Sequence, residues 1–436
     1  MRHRARLHRF GRCVRQDDLV EEHTGKGRKP VEAETVTGLT PLLVIVTAAV
    51  VAPLVVDVLG RWVVLPGVVL EIALGVLIGP SGVGLVEEND VITAASGMGL
   101  ALLMFMAGYE IDVSRVGGGT LRRAGAAWTC ALGLGLGAAW LLLGWSQTAL
   151  IIGLALTTTA LGTVLPILRD SGVLDSVFGA RVLASGTVGE FAPIVVIALL
   201  LSGYRPLTGS LLLLAFFAVA VLAAWRMSRG TSARIQRLVR VTLGTSTQLA
   251  VRLCLLVVVF MLWVSTILGL DSVLGSFAAG IIVRVMLFNN HPGEVEEVET
   301  RMTAVSYGVF IPVFFVVTGV RFDLPALVSD WGAVATVPMF LLLFLLIRGL
   351  PVWLLCRKGL SGHEGVALAL FSATALPLLV VLTTIGTRAG DMNSAHAAAL
   401  VGAGMLSVLI FPQVGLVLVG RARVRTHAGE PAATDG

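Results

Sequence analysis

Glu190 lies near the middle of Val182–Leu201 (VLASGTVGEFAPIVVIALLL), a run with no other charge. A carboxylate at the centre of a bilayer costs about 2.5–3.5 kcal/mol on insertion scales, so such a residue reads first as a site for protons or cations. Arg348 stands in a comparable place, with MFLLLFLLI before it and GLPVWLLC after it. Left alone it carries a similar penalty, and pairing offsets part of both. The sequence therefore predicts a contact between Glu190 and Arg348, either as working chemistry or as a buried ion pair that only locks two helices. Arginine keeps its proton at any physiological pH. Glu190 is then the expected proton carrier at the centre, and the expected protein is a carrier, not an enzyme.

The elements that must hold these residues are set by composition. The 436 residues are 56% hydrophobic and 14% charged, against roughly 25% charged in soluble domains, and the mean hydropathy is +0.90. Thirteen apolar segments lie near 41–59, 62–79, 92–109, 124–144, 147–168, 178–201, 208–225, 246–269, 271–288, 303–320, 332–356, 363–386 and 394–419. Most reach or approach the ~20 residues a helix needs to cross a bilayer. The expected fold class is an all-α polytopic membrane protein whose main partner is the lipid bilayer. Its pI of 9.4 comes from short basic loops and tails, the positive-inside pattern, and does not point to nucleic acid. The four cysteines (Cys13, Cys130, Cys254, Cys356) show no metal or redox spacing, and no cofactor is expected.

Loop charge orients the chain. Alternate loops carry Arg115, Arg122 and Arg123, then Arg169 and Arg181, then the run from Arg226 to Arg240, and later Arg357, Lys358 and the tail arginines. The opposite loops, such as Glu87–Asp90 and the turn at Trp145, are nearly free of basic residues. The first set reads as cytoplasmic, which places the C-terminus inside and, with thirteen spans, the N-terminus outside. Residues 1–38 conflict with that, because they form a basic polar stretch expected to be disordered. A native start near Val31 or Val36 removes the conflict. The exchange machinery is expected within 39–420, and 421–436 reads as a short cytoplasmic tail.

Two segments echo each other. Thr157–Leu168 reads TTTALGTVLPIL and Phe371–Leu382 reads FSATALPLLVVL. Both place Thr-Ala-Leu inside an apolar run with a proline soon after, and Thr and Pro weaken a membrane helix where freed backbone groups can face a cavity. Repeats of opposite orientation with interrupted helices are a transporter signature.

Four stretches carry a resemblance: LPGVVLEIALGVLIGPSGVGL (Leu65–Leu85), GLALLMFMAGYEIDVSRV (Gly99–Val116), VLGSFAAGIIV (Val273–Val283) and FIPVFFVVTGVRFDL (Phe310–Leu324). In this order they resemble the sodium/proton exchanger domain of the cation:proton antiporter-2 family. The resemblance implies about thirteen helices, inverted repeats, a homodimer, and a core domain holding residues around 124–201 and 332–419. Two broken helices would cross there, involving Thr158, Ala160 and Pro166 in one and Ser372, Thr374 and Pro377 in the other. Glu190 falls on the place of that family's main ion-binding acid, where an Asp preceded by a polar residue is usual. Here the pair is Gly189-Glu190. The cytoplasmic nucleotide-binding domain of Kef-type potassium systems has no counterpart in the chain.

The chemistry expected is competition: Glu190 takes a proton or a Na+ or K+ ion, never both. These hard cations favour oxygen ligands, which Thr159, Thr187 and freed carbonyls of the broken helices would supply. Arg348 would hold the empty carboxylate between loads. One titrating acid predicts one proton per cation, hence electroneutral exchange across a prokaryotic plasma membrane. A proton-coupled carrier of an organic solute and a transport-inactive sensor are the alternatives. Glu71 reads as a packing residue outside the core.

Overall fold

The computed structural model describes residues 31–59, 66–109, 118–174, 176–200, 249–268, 272–287, 292–328 and 331–428. Among them all regular structure is helical, and nine helices are long and apolar enough to cross a membrane. In chain order the α-helices, short ones included, are α1 (Val31–Leu59), α2 (Gly67–Ile78), α3 (Asp90–Tyr109), α4 (Gly118–Leu143), α5 (Gln147–Ala155), α6 (Leu161–Asp170) and α7 (Val177–Leu200). There follow α8 (Leu249–Ile267), α9 (Ser272–Leu287), α10 (Pro292–Val305), α11 (Ile311–Val320), α12 (Leu324–Val328), α13 (Trp331–Leu343) and α14 (Leu350–Cys356). The last three are α15 (Gly362–Ser372), α16 (Pro377–Arg388) and α17 (Ser394–Ala428).

Twelve of the thirteen apolar segments fall on these helices, and the one near 208–225 lies outside the described residues. Both ends are more helical than the sequence reading had them. The stretch expected to be disordered to residue 38 is helical from Val31, and the tail expected after 420 stays helical to Ala428. No Gly or Pro interrupts Val31–Thr37 or Arg421–Ala428, and Ala, Glu and Arg favour the helix. Glu110, Asp112 and His291 lie outside the described residues.

The helices form two groups. In one, α2 packs on α11 and α3 on α9. Glycines let these backbones approach: a Cβ on Gly75 would lie 2.0 Å from the Val316 carbonyl oxygen, and one on Gly319 would lie 2.1 Å from that of Ile72. Small residues at such crossings are how membrane helices gain packing without a hydrophobic driving force. Glu71 is buried on α2, four residues before Gly75, outside the other group. The second group holds α4 to α7 and α13 to α17, with α17 lying along α13 and α15. Its core runs through Ile151, Phe344, Leu379 and Leu400 and continues into the first group through Phe277 and Phe314.

Two spans contain a π-helical turn, Ser306–Phe310 between α10 and α11 and Phe344–Gly349 between α13 and α14. Each is followed two residues on by a proline, Pro312 or Pro351. Proline lacks the N–H that continues the ladder, and the ladder widens just before it: Ile311 N–H bonds Ser306 and Leu350 N–H bonds Leu345. Such turns often sit at working positions, and the second one carries Arg348.

A crossing of two broken helices beside Glu190

Residues Leu156–Ala160 separate α5 from α6, and Ala373–Leu376 separate α15 from α16. The breaks have a local cause. Thr157 and Thr158 donate their hydroxyls back to Leu154 and Ala155 carbonyls (2.7 and 2.8 Å), and Thr374 does the same to Leu370 (3.1 Å). Hydroxyls that bond the backbone in this way compete with the helix ladder. Pro377 then opens α16, a first-turn position proline fits because its missing N–H would be unpaired there. Pro166 differs from expectation: it lies inside α6, five residues past its start, and the break comes from the threonines.

The two breaks are tied together. Ala160 N–H donates to the Thr374 carbonyl (2.7 Å), and the Thr159 hydroxyl donates to the Ser372 carbonyl (2.6 Å). Ser407 of α17 accepts from Ala375 N–H (3.1 Å). Thr157, Thr158, Thr159, Ala160, Ser372 and Thr374 are all buried. The four half-helices point their ends at this spot, so partial charges of both signs gather there.

Helix α7 lies against the crossing. Its Gly189 carbonyl accepts from Thr159 N–H (3.0 Å), and its Ser185 hydroxyl meets that of Ser372 (2.8 Å). Arg348 enters from the π turn and is fully buried. Its Nε donates to the Thr159 hydroxyl oxygen (2.9 Å) and its Nη2 to the Ser185 carbonyl (2.6 Å). Nη1 is buried with no hydrogen-bond partner. The guanidinium thus joins the crossing to the α7 backbone, beside the position of Glu190. The face of α7 that meets Arg348 carries Ser185 and Gly189.

Glu190 is half-buried. The next residue, Phe191, has its ring 5.2 Å from that of Phe277 on α9, so position 190 stands between the crossing and the other helix group. Thr187 is also half-buried, one turn earlier, at a spacing that puts it on the Glu190 side of the helix. The Thr159 hydroxyl has given its proton to Ser372 and one lone pair to Arg348, which leaves it a single lone pair. Ser185 and Ser407 were missed from sequence. The signal for Ser185 was present in the Ser185-x-x-x-Gly189 spacing, which sets two small residues on one helix face.

A cavity of about 300 Å³ opens between the groups, lined by Thr383, Thr384, Thr387 and Arg388 of α16 and by Thr318 of α11. Glu88, Arg321 and Asp323 share its wall. Glu88 accepts from Arg321 and from the Thr93 hydroxyl (2.8 Å). The Arg321 guanidinium, then Thr93, holds the Glu88 carboxyl below its ordinary range against a partial opposing effect of burial.

Crossed broken helices inside one of two helix groups, with a half-buried carboxylate on the neighbouring span, define a secondary-transporter fold. The transmembrane family of sodium/hydrogen exchangers matches residues 45–417, and the chain belongs to that family. Its relatives include a putative Na+/H+ antiporter of Bacillus subtilis, YjbQ, 26% identical over 86% of this chain. The chain spans 62% of that protein's length. The Na+/H+-K+ antiporter GerN of Bacillus cereus is 24% identical over 80% of this chain and 88% of its own. Among solved structures, the sodium proton antiporter MjNhaP1 of Methanocaldococcus jannaschii shares the fold at a TM-score of 0.67 and 16% identity, covering 90% of this chain and 99% of that one.

Proposed function

We propose that the chain is a secondary active antiporter that exchanges Na+ or K+ for a proton by alternating access, working as a homodimer in a prokaryotic plasma membrane with its C-terminus in the cytoplasm. The observation that carries this reading is the half-buried Glu190 on α7, at the seam of the two helix groups and beside the crossing. The family match supports it, as do relatives whose names specify Na+/H+ and Na+/H+-K+ antiport.

Glu190 binds a proton or a cation in turn. The buried guanidinium makes the Arg348 side of α7 unfavourable for a cation. The ion therefore sits on the Glu190 side, with the Thr187 hydroxyl one turn away and carbonyls of the breaks as further oxygen ligands. Thr159 has one lone pair to add. In the empty carrier the ionised carboxylate draws on the nearby Arg348 charge, whose Nη1 is the donor left over. One titrating acid gives one proton per cation, so exchange is electroneutral.

The test is a pH dye in everted vesicles, with Na+, K+ and Li+ added separately. A cation-induced rise of internal pH that Glu190→Gln abolishes supports the reading, and normal transport by that variant overturns it. A rate that follows membrane voltage at a fixed pH gradient overturns the stoichiometry.

A further inference from the structure

We infer that Gly189 and Arg348 form one fitted unit that positions Glu190: the guanidinium occupies, from another helix, the space a side chain at 189 would fill. The inference rests on the antiport reading for its transport readout only.

The geometry is specific to this glycine. A Cβ at Gly189 would lie 2.3 Å from Arg348 Nη2 and 2.4 Å from Thr159 Oγ1, well inside contact distance. At Gly75, Gly108 and Gly280 the nearest atom is a backbone oxygen of a neighbouring helix, and at Gly186, Gly275 and Gly415 it is an uncharged side chain. Gly189, by contrast, makes room for a charged side chain. The guanidinium has no easy retreat, because Thr159 holds its Nε and the Ser185 carbonyl holds its Nη2. It is fully buried, in a span whose π turn aims it inward.

The consequence falls on the next residue. With Gly189 bonded to Thr159 through its carbonyl and Arg348 filling the space where a Cβ would stand, the backbone that carries Glu190 is fitted on two sides. Any side chain at 189 must displace the guanidinium or the Thr159 hydroxyl. Either movement shifts Glu190 relative to the crossing. Arg348 is thus a positioning residue that acts through the backbone of α7, and Gly189 is its socket.

The experiment is a double-mutant cycle of Gly189→Ala and Arg348→Ala on the full-length protein, read in two ways. In vesicles, Gly189→Ala should raise the cation KM about ten-fold in the wild-type background and less than about three-fold in the Arg348→Ala background, because contacting residues couple. In detergent, Gly189→Ala should lower the thermal midpoint strongly in the wild type and at most half as much without Arg348. If Ala at 189 blocks folding and Arg348→Ala restores it, the coupling stands. A KM that does not move, or equal penalties in both backgrounds, overturns the inference. If wild-type vesicles show no cation-driven pH change, the antiport reading fails, and the thermal cycle alone decides this one.

Discussion

Thr159→Val tests the crossing most directly, because it keeps the side chain's shape and deletes one oxygen. That oxygen donates to the Ser372 carbonyl at 2.6 Å and accepts from Arg348 Nε at 2.9 Å. A neutral bond is worth about 0.5–1.5 kcal/mol net, and one to a charged group about 1.5–3 kcal/mol. Neither partner can turn to water, since Ser372 and Arg348 are both fully buried. Arg348 would then carry two unpaired nitrogens in place of one, Nε beside Nη1. The sum is a loss of about 2–4.5 kcal/mol from the two bonds, with little offset from the added methyl. Thr159→Ser keeps the oxygen and should stay within about 1 kcal/mol of wild type, the cost of one buried methyl. The assay is the thermal midpoint of the purified protein in detergent, with transport in vesicles alongside. The expected order is wild type close to Thr159→Ser, with Thr159→Val well below. A valine variant as stable and active as the wild type would refute the view that this hydroxyl ties the two breaks and Arg348 together.

Three further outcomes are expected. Glu71→Leu should raise the thermal midpoint and keep transport, since it removes a buried carboxylate that costs about 2.5–3.5 kcal/mol at membrane depth from a helix outside the crossing; lost transport would mark Glu71 as part of the machinery. Arg388→Glu, at the wall of the cavity beside Glu88, should lower the cation KM at low ionic strength, and the effect should shrink as salt brings the screening length to about 8 Å or less. The Glu88–Arg321 pair is partly exposed and is worth about 0.2–1 kcal/mol. Because the Glu88 carboxyl is held below its usual range, that contribution is present above the ordinary carboxylate range and is lost as pH falls through the lowered value. Glu88→Gln should therefore lower the thermal midpoint at neutral pH and leave it unchanged in strong acid.

What the sequence disclosed about the site follows depth, and what it concealed follows rotation. Hydropathy locates a residue along the membrane normal, so Glu190, Arg348 and the two Thr-Ala-Leu segments were legible as mid-span features, and hydrogen bonds join Arg348 and the two segments. Hydropathy does not locate a residue around its helix, because the run beside Glu190 is apolar on every side and has no amphipathic face to read. Cost alone said that Arg348 needs partners and not which ones, and a hydroxyl and a backbone carbonyl supply two of them. The proline at 166 misled for a related reason. Proline in a membrane span weakens a helix without having to end it, whereas Thr157 and Thr158 together take carbonyls that the helix would otherwise use. Gly189 was visible only as a missing polar residue, a loss. With the guanidinium in place the same glycine is a fit: it gives Arg348 a seat against α7 and keeps a permanent positive charge one residue from Glu190 in the chain.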